Sequence, residues 1–182
     1  MTFRRLDGRG AAAHAEELQA LHAEAYADPP YGFDAGLAAL FDRQLGVQGR
    51  QPGFALAEAR SGDFLIGYAF GVPLRPSTSW WRAATAPLPE ELTQERPGRT
   101  FALADLVVRA AWRRQGIGAD LHDLILRGRE EERATAMVWP AAGPAQGAFR
   151  QWGWRKVARS RSPLPGGPAL DVLVRDLTAG RR

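Results

Sequence analysis

The sequence lacks cysteine and asparagine, and Lys156 is its one lysine among 24 basic residues. Without cysteine the chain has no disulfide framework, no thiolate nucleophile and no cysteine-based metal site. The three histidines are scattered along the chain and do not have the spacing of metal ligands. We therefore expect no bound metal and no metal catalysis.

Long apolar runs are also missing. No stretch approaches the roughly 18 apolar residues that indicate a membrane-spanning helix. The first residues, Met-Thr-Phe-Arg-Arg, have no apolar core of the kind that signal peptides carry. These absences predict a cytoplasmic protein without membrane contact.

Neither sign of charge is in large excess. The chain has 24 basic and 20 acidic residues, a net charge of +4, and no basic run longer than two residues. Nucleic-acid-binding domains usually concentrate basic residues in a run or patch. We therefore do not expect a nucleic-acid partner. The length of 182 residues and the 45% hydrophobic content suit one domain with a buried core.

The apolar periodicity predicts an α/β chain without internal repeats. The predicted strands are Thr2–Leu6, Gly53–Ala59, Phe64–Val72, Thr100–Val108, Thr135–Trp139, Trp154–Ala158 and Leu170–Val174. The predicted helices are Ala11–Ala27, Ala35–Leu45, Ile117–Arg129 and Ala145–Trp152. A connection as long as residues 73–99 is usually functional or mobile.

The most distinctive motif, Arg-x-x-Gly-x-Gly, follows the fourth predicted strand and leads into an amphipathic helix. Because glycine has no Cβ, a ligand can approach the N–H groups of Gly116 and Gly118, where the N-terminus of a helix attracts anions. A P-loop would need Lys and Ser or Thr where Ala119 and Asp120 stand. A dinucleotide-binding turn would need a third glycine where Leu121 stands. The motif therefore predicts a phosphate-binding turn of another kind.

The strand, turn and helix resemble the acyl-CoA-binding motif of the GCN5-related N-acetyltransferase (GNAT) superfamily. The segment Phe-Arg-Gln-Trp-Gly-Trp, which starts at Phe149, is similar to the family's Tyr-x-x-x-Gly-Phe signature. Two positions depart from the family pattern, because Phe149 replaces a frequent tyrosine and Ala142 replaces a common asparagine.

The resemblance extends over nearly the whole chain and implies an α/β (α+β) fold. In this family a mixed, mostly antiparallel central sheet of about seven strands is flanked by about four helices. Strands four and five splay apart. Residues 1–182 are thus expected to form a single N-acetyltransferase-like domain, with residues 73–99 as a loop insertion between strands three and four.

The resemblance also implies acetyl-CoA, or another acyl-CoA, as co-substrate. In the family the pantetheine arm pairs with free backbone groups on strand four, and the loop amides hold the pyrophosphate. The implied cofactor-binding residues are Leu106, Val107, Val108, Arg113, Arg114, Gln115, Gly116, Ile117, Gly118, Ala119 and Phe149.

Transfer of an acyl group to an amine needs a group that removes the amine proton. Asp105 is the candidate base, directly or through water, because the family often has a carboxylate at this position. The alternative is a structural carboxylate satisfied by neighbouring N–H groups. Phe149 has no proton to donate, so the acid is Tyr31, a water molecule or no group at all. Tyr26, Tyr68 and His22 are weaker candidates, and the three histidines are expected to be ordinary helix residues.

The leading prediction is an acyl-CoA-dependent N-acyltransferase that acts on a primary amine of a small molecule or peptide. The amine attacks directly in a ternary complex. Tyr31 is expected to line the acceptor site, whereas Trp80 and Trp81 either stack on the acceptor, join subunits of a homodimer or pack in the core. The alternatives are a catalytically idle acyl-CoA-binding regulatory module and an acyltransferase for proteins or aminoacyl-tRNA.

Overall fold

The computed structural model describes residues 1–32 and 34–178. The strands in these ranges are β1 Thr2–Leu6, β2 Ala55–Ser61, β3 Phe64–Pro73, β4 Thr100–Val108, β5 Arg133–Val138, β6 Arg155–Ser160 and β7 Leu170–Asp176. The helices are α1 Gly8–Ala13, α2 Ala15–Tyr26, α3 Ala35–Gln48, α4 Glu90–Thr93, α5 Ile117–Leu126 and α6 Gly143–Gln151. None of these helices combines the length and the apolar character that crossing a bilayer requires.

The strands form one mixed sheet in the order β1-β2-β3-β4-β5-β7-β6. The β1–β2, β2–β3, β5–β7 and β6–β7 pairs are antiparallel. This architecture confirms the predicted fold class. Two short helices, α1 and α4, add to the four predicted ones.

The described chain divides into two compact units. The first contains Met1–Val72 and Leu103–Gly128, and the second contains Pro73–Ala102 and the chain from Arg129 onwards. Each unit has its own cluster of buried apolar side chains. Each therefore gains the burial of apolar surface that stabilises a compact structure.

The core of the first unit lies between its strands and helices α2 and α3. Its members include Leu18 and Leu21 from α2, Phe41 from α3, and Leu56 and Phe70 from β2 and β3. Residues three and four apart on a helix share one face, so the apolar spacing of α2 turns a single face towards the strands. The predicted amphipathic pattern accounts for this packing.

The predicted first helix, Ala11–Ala27, is wrong in its boundaries. The structure has two helices here, and the chain turns between them at His14, whose φ is −111°. The first helix begins earlier because the Asp7 side chain accepts a hydrogen bond from Gly10 N–H and caps it. His14 Nδ1 lies 2.6 Å from Arg60 Nη2. Helical periodicity does not reveal this contact.

The predicted break between the predicted helices Ala11–Ala27 and Ala35–Leu45 is confirmed. Helix α2 ends at Tyr26, and α3 begins after Asp34, whose carboxylate accepts a hydrogen bond of 2.8 Å from Leu37 N–H. Proline at positions 29 and 30 prevents one continuous helix because its ring removes the N–H donor. Tyr31 therefore lies in the short connection between α2 and α3.

The second unit contains the antiparallel strands β5, β7 and β6. Its core includes Leu74 and Trp81 from the 73–99 connection, together with Val172 and Val174 from β7. This part of the connection is packed, and it contains the short helix α4. Its proline-rich composition indicated irregular structure correctly but gave no sign of these buried contacts.

Gly67 on β3 gives a test of the packing in the first unit. A Cβ at this position would lie 3.0 Å from both the Leu121 side chain and the Val107 carbonyl oxygen. We expect Gly67→Ala to lower the free energy of unfolding by about 1–3 kcal/mol, because the well-packed neighbours must move. Urea denaturation followed by circular dichroism measures this change.

Gly46→Ala is the matched control, because Gly46 lies in α3 of the same unit and an added Cβ would meet no atom within 4 Å. Alanine favours a helix over glycine by up to about 1 kcal/mol, so this variant should be as stable as the parent or more stable. Equal stability of the Gly67→Ala variant and the parent would contradict the close packing at β3.

Candidate active site

A turn with unusual backbone geometry connects β4 to α5. After a 3₁₀ turn at Ala110–Trp112, Arg114 has a φ of +64° and Gly116 a φ of +84°. Arg114 is the one non-glycine residue with positive φ in the described ranges. Such a conformation is costly for a residue with a Cβ, and strained backbone is often found at functional sites. The predicted glycine turn is therefore present.

The N-terminus of α5 has no side-chain cap, because Gly116 stands at the N-cap. The corresponding ends of α1 and α3 are capped by Asp7 and Asp34. In the first turn of a helix the N–H groups have no partner within the helix, and the helix dipole adds positive potential there. Ile117 is buried and anchors the turn, while Gly118 is only partly buried. The end of α5 is thus suited to bind an anion.

Three arginines around this turn differ in their contacts. Arg109 pairs with Glu24, and its Nε donates a hydrogen bond of 2.7 Å to the Leu65 carbonyl oxygen. Arg113 and Arg114 are exposed, although Arg113 Nε donates a hydrogen bond of 2.9 Å to the carbonyl oxygen at the end of β4. Arg109 is therefore structural, and the other two can supply positive charge to a bound anion.

The backbone of β4 is partly engaged where the resemblance implies pantetheine binding. Leu106 N–H donates a hydrogen bond of 2.9 Å to Asp105 Oδ1. The Val108 carbonyl oxygen accepts from Arg113 Nε, and a carbonyl oxygen has a second lone pair for another donor. The Val107 side chain is part of the core. Pairing of a ligand with these groups stays a prediction.

Asp105 is buried in a polar cluster of the first unit. Its Oδ1 accepts hydrogen bonds of 2.9 Å from both Tyr26 Oη and Leu106 N–H. Its Oδ2 accepts a bond of 2.7 Å from Tyr68 Oη and lies 3.0 Å from His22 Nδ1. A carboxylate offers about four acceptor positions, and three donors and the His22 ring surround this one. Both the role of Asp105 as a base and its alternative structural role stay predictions.

A series of neighbouring aromatic rings connects this cluster to the α2–α3 connection. The ring of His22 lies 4.2 Å from that of Phe41 and 4.4 Å from that of Tyr26, measured between centroids. The ring of Tyr26 lies 4.5 Å from that of Tyr31. Tyr31 is partly exposed, and it ends the series near the surface.

The phenols of Tyr26, Tyr68 and Tyr31 are weaker acids than an exposed tyrosine. Burial, followed by the negative charge of Asp105, raises the pKa of Tyr26 and that of Tyr68 well above the ordinary value of 10.0. The same two causes raise the pKa of Tyr31, while the positive charge of Arg113 acts in the opposite direction. Tyr31, Asp105 and Arg113 therefore lie close enough to interact. At neutral pH all three phenols are protonated, and those of Tyr26 and Tyr68 donate hydrogen bonds to Asp105.

The remaining predicted site residues belong to the second unit. Phe149 is buried, with its ring centroid 5.1 Å from that of Trp154. Trp81 is also buried, and its Nε1 donates a hydrogen bond of 2.9 Å to Glu95. Trp80 Nε1 donates to Thr135 at 3.2 Å. For Trp81 these contacts favour core packing among the predicted alternatives, and the binding roles of all three residues stay predictions.

The side chains that contact Asp105 were only weak functional candidates on sequence grounds. His22 follows Leu18 by four residues and is therefore on the buried face of α2, where an imidazole needs a polar partner. Tyr68 is the only fully buried tyrosine of the strands in the first unit. Burial of these polar groups is readable from periodicity, but the pairing of α2, β3 and β4 residues is a tertiary contact.

Comparison with solved structures gives similar folds along almost the whole chain. The ribosomal-protein-alanine N-acetyltransferase from Brucella melitensis is 17% identical, with 97% of this chain and 99% of that chain covered and a TM-score of 0.65. An aminoglycoside 6'-N-acetyltransferase complexed with coenzyme A is 13% identical, with 97% of each chain covered and a TM-score of 0.65. The GNAT-like decarboxylase GphF, in complex with isobutyryl-CoA, is 17% identical, with 97% and 100% covered and a TM-score of 0.65.

The chain has the GNAT fold. No protein-family model matches the sequence, and no curated protein matches it significantly. The GNAT fold was the fold implied by the Arg-x-x-Gly-x-Gly motif, and that prediction is confirmed. At these low identities the likeness concerns the fold, so the reaction must be argued from the site.

The tyrosines offer a test of the Asp105 cluster, because two of the three in the chain, Tyr26 and Tyr68, donate hydrogen bonds to Asp105 and the third, Tyr31, packs against Tyr26. In the folded chain each tyrosine has a pKa above the ordinary value of 10.0. The protonated phenols therefore stabilise the folded state fully below pH 10.0, and this stabilisation is lost as the pH rises through the folded-state pKa values. We expect phenolate absorbance to appear above that pH, together with loss of the far-ultraviolet circular dichroism.

The control is the same titration in concentrated guanidinium chloride, where all three phenols should ionise near the ordinary value of 10.0. A native chain whose three tyrosines ionise at that pH while the circular dichroism is unchanged would contradict the buried cluster.

Proposed function

We propose that the chain is an acyl-CoA-dependent N-acyltransferase of the GNAT superfamily, with acetyl-CoA as co-substrate. The acceptor in this proposal is a primary amine of a small molecule or peptide. The observation that carries the proposal is the uncapped N-terminus of α5, which a short turn connects to β4, the strand that bears Asp105. An anion-binding turn thus lies next to a buried polar cluster within one unit.

The loop residues fit the phosphates of an acyl-CoA. First-turn N–H groups of α5, beginning at Ile117, are donors for a pyrophosphate, and Gly116 leaves the approach to them open. The exposed guanidinium groups of Arg113 and Arg114 add positive charge. Gln115 and Ala119 flank these donors. When bound, the co-substrate supplies an activated acyl group as a thioester.

The similar structures support the same co-substrate and an amine acceptor. Three of them contain coenzyme A or isobutyryl-CoA. The names of two others refer to acetylation of an aminoglycoside and of a ribosomal-protein alanine, and both acceptors are amines. The decarboxylase GphF has the same fold but a different reaction, so activity must be measured.

Direct transfer requires no nucleophile from the protein. The amine nitrogen forms a bond to the thioester carbonyl carbon, the carbon–sulfur bond breaks, and sulfur leaves as a thiolate with the bonding electron pair. A thiolate leaves readily near neutral pH, because a free thiol has a pKa of about 8.5. The absence of cysteine from the chain is consistent with this mechanism. The protein must position the two reactants and accept one proton.

A second candidate is a catalytically idle acyl-CoA-binding module. It is favoured by Phe149, a buried side chain without a proton donor at the position where the family frequently has tyrosine. The two candidates differ in turnover but share acyl-CoA binding. The single domain over residues 1–182, the homodimer and the cytoplasmic location stay predictions.

Thiol release distinguishes these candidates. Purified protein is incubated with acetyl-CoA and, separately, with benzylamine, spermidine, kanamycin and a tripeptide that begins with alanine. Thiol release that depends on the amine, with the acetylated amine seen by mass spectrometry, supports the transferase. Acetyl-CoA binding without release from any amine supports the idle module. Thiol release from none of these amines, but from a protein or an aminoacyl-tRNA added in their place, would support the macromolecular alternative.

Tyr31→Phe tests the role of Tyr31 as general acid. Because the pKa of Tyr31 is raised above that of a thiol, proton transfer from Tyr31 to the leaving thiolate is unfavourable. We expect kcat to fall by less than about tenfold, compared with the 10²–10⁴-fold contribution of a typical general acid. A loss of kcat by about 100-fold or more, with unchanged acetyl-CoA affinity, would assign Tyr31 as the acid.

A further inference from the structure

The β4–α5 turn has a backbone conformation that requires support from its surroundings. Arg114 and Gly116 have positive φ, and α5 begins without a side-chain cap. A residue such as Arg114 stays in a sparsely populated conformation only when the surrounding structure fixes it. The turn therefore needs an anchor at each end. Buried Ile117 is the anchor at the α5 end.

Arg109 is the anchor at the β4 end. It follows the last residue of β4 and directly precedes the 3₁₀ turn Ala110–Trp112. Its backbone N–H donates a hydrogen bond of 2.9 Å to the Ile66 carbonyl oxygen, and its Nε donates one of 2.7 Å to the Leu65 carbonyl oxygen. Both acceptors belong to β3. Arg109 therefore attaches the start of the turn to the neighbouring strand.

The guanidinium of Arg109 adds an attachment to α2. Its Nη1 donates to Glu24 Oε2, and its Cζ lies 4.3 Å from the ring centroid of Phe64. The Arg109 side chain is only 16% exposed. A planar guanidinium that donates from Nε and Nη1 to two separate acceptors is held in one orientation, which a lysine ammonium does not reproduce. Because a partly exposed ion pair by itself contributes little stability, the contact with Glu24 matters mainly for where it holds Arg109.

The hydrogen bonds inside the turn are local by comparison. Trp112 N–H donates at 2.9 Å to the Arg109 carbonyl oxygen, and Arg113 Nε donates at 2.9 Å to the Val108 carbonyl oxygen. These bonds shape the turn, but their partners lie at the end of β4 or directly after it. At this end of the turn, Arg109 supplies the contacts to β3 and α2.

We propose that Arg109, held by Glu24 and by the β3 carbonyl oxygens, is a positioning residue of the acyl-CoA pyrophosphate site, because it keeps the β4–α5 turn in its anion-binding conformation before the ligand arrives. This inference rests on the proposed function. A loop that already has its bound conformation binds more tightly, since less conformational entropy is lost on binding. Arg109 does not contact the phosphates in this proposal, because its Nε and Nη1 are engaged by Leu65 and Glu24.

Glu24→Ala separates this positioning role from an effect of charge. The substitution removes an acceptor of the guanidinium and leaves the positive charge of Arg109 without its counter-charge. If only the charge mattered, acetyl-CoA would bind more tightly. If the pair positions the turn, we expect the Kd from calorimetric titration to rise about tenfold, the change that corresponds to loss of one charge-assisted hydrogen bond. Tighter or unchanged binding would overturn the proposal.

Arg109→Lys gives the complementary test, because it retains the positive charge and loses the Nε donor to Leu65. We again expect the Kd for acetyl-CoA to rise about tenfold. A change in affinity at constant net charge cannot come from the number of charges around the phosphates. Parental affinity of the folded Arg109→Lys variant would overturn the proposal.

S-Acetylpantetheine distinguishes an effect on the turn from a general loss of structure. This compound has the thioester and the pantetheine arm of acetyl-CoA but no pyrophosphate. With the best amine of the panel, we expect kcat/KM for acetyl-CoA to fall about tenfold in both variants. The kcat/KM for S-acetylpantetheine should stay at the parental value. Equal losses with both compounds would contradict a role at the turn.

Hydrogen exchange tests the anchoring of the turn without any substrate. The backbone N–H groups of Trp112 and Arg113 both donate hydrogen bonds within the turn. In the ligand-free Glu24→Ala and Arg109→Lys variants these amides should exchange faster than in the parent, because local opening costs less free energy. The amides of β5 and β7 should exchange at parental rates. Unchanged exchange at the turn in both variants would overturn the proposal.

Glu132→Ala is the matched control. Glu132 pairs with Arg96 in the second unit, and its side chain is 44% exposed, close to the 46% of Glu24. The substitution therefore breaks a similar arginine pair outside the turn. This variant should retain the parental Kd and the parental exchange rates at the turn. An equal rise in Kd would show a general effect of losing a carboxylate, and it would count against a specific role of Arg109.

Failure of this inference and failure of the proposed function have different signatures. A parent that binds no acetyl-CoA refutes the proposed function, while hydrogen exchange still shows whether Arg109 anchors the turn. A parent that binds acetyl-CoA, together with Glu24→Ala and Arg109→Lys variants that bind it equally well, retains the function and refutes the role of Arg109.

Discussion

The hydrogen-bonded burial of the Asp105 carboxylate is the interaction on which the organisation of the first unit depends. An unpaired charge in this position would be very costly, whereas two phenols, an imidazole and a backbone N–H surround it. These donors come from β3, β4 and α2, so one carboxylate links the sheet to the helix above it. Burial, followed by the charge of this carboxylate, raises the pKa of Tyr26 and of Tyr68.

The β4–α5 turn supplies the second constraint. Positive φ at Arg114 and Gly116 turns the chain so that α5 begins without a side-chain cap. Binding of phosphates there would depend on helix-end electrostatics, whereas the Asp105 cluster depends on buried hydrogen bonds. Both features depend on β4, because this strand bears Asp105 and leads into the turn before α5. The proposed acyltransferase activity follows from this combination.

The turn was predictable from sequence, because Gly116 and Gly118 have a specific conformational consequence and lie between a β-branched strand and an amphipathic helix. The limits of β4 were predictable too, because they follow from the local sequence pattern of the strand. The Asp105 cluster was not predictable, because His22 and Tyr68 are distant in sequence and their contact depends on packing. The break at His14 likewise depends on the Asp7 cap and on the contact with Arg60.

Calorimetric titration with acetyl-CoA tests the central claim most directly. It compares the parent with a Gly116→Asp/Gly118→Asp variant, whose folding is checked by circular dichroism. The account predicts micromolar binding by the parent and none by the folded variant, because two carboxylates would repel the phosphates at the N-terminus of α5. Equal binding by both proteins, or no binding by the parent, would contradict an acyl-CoA site at this turn.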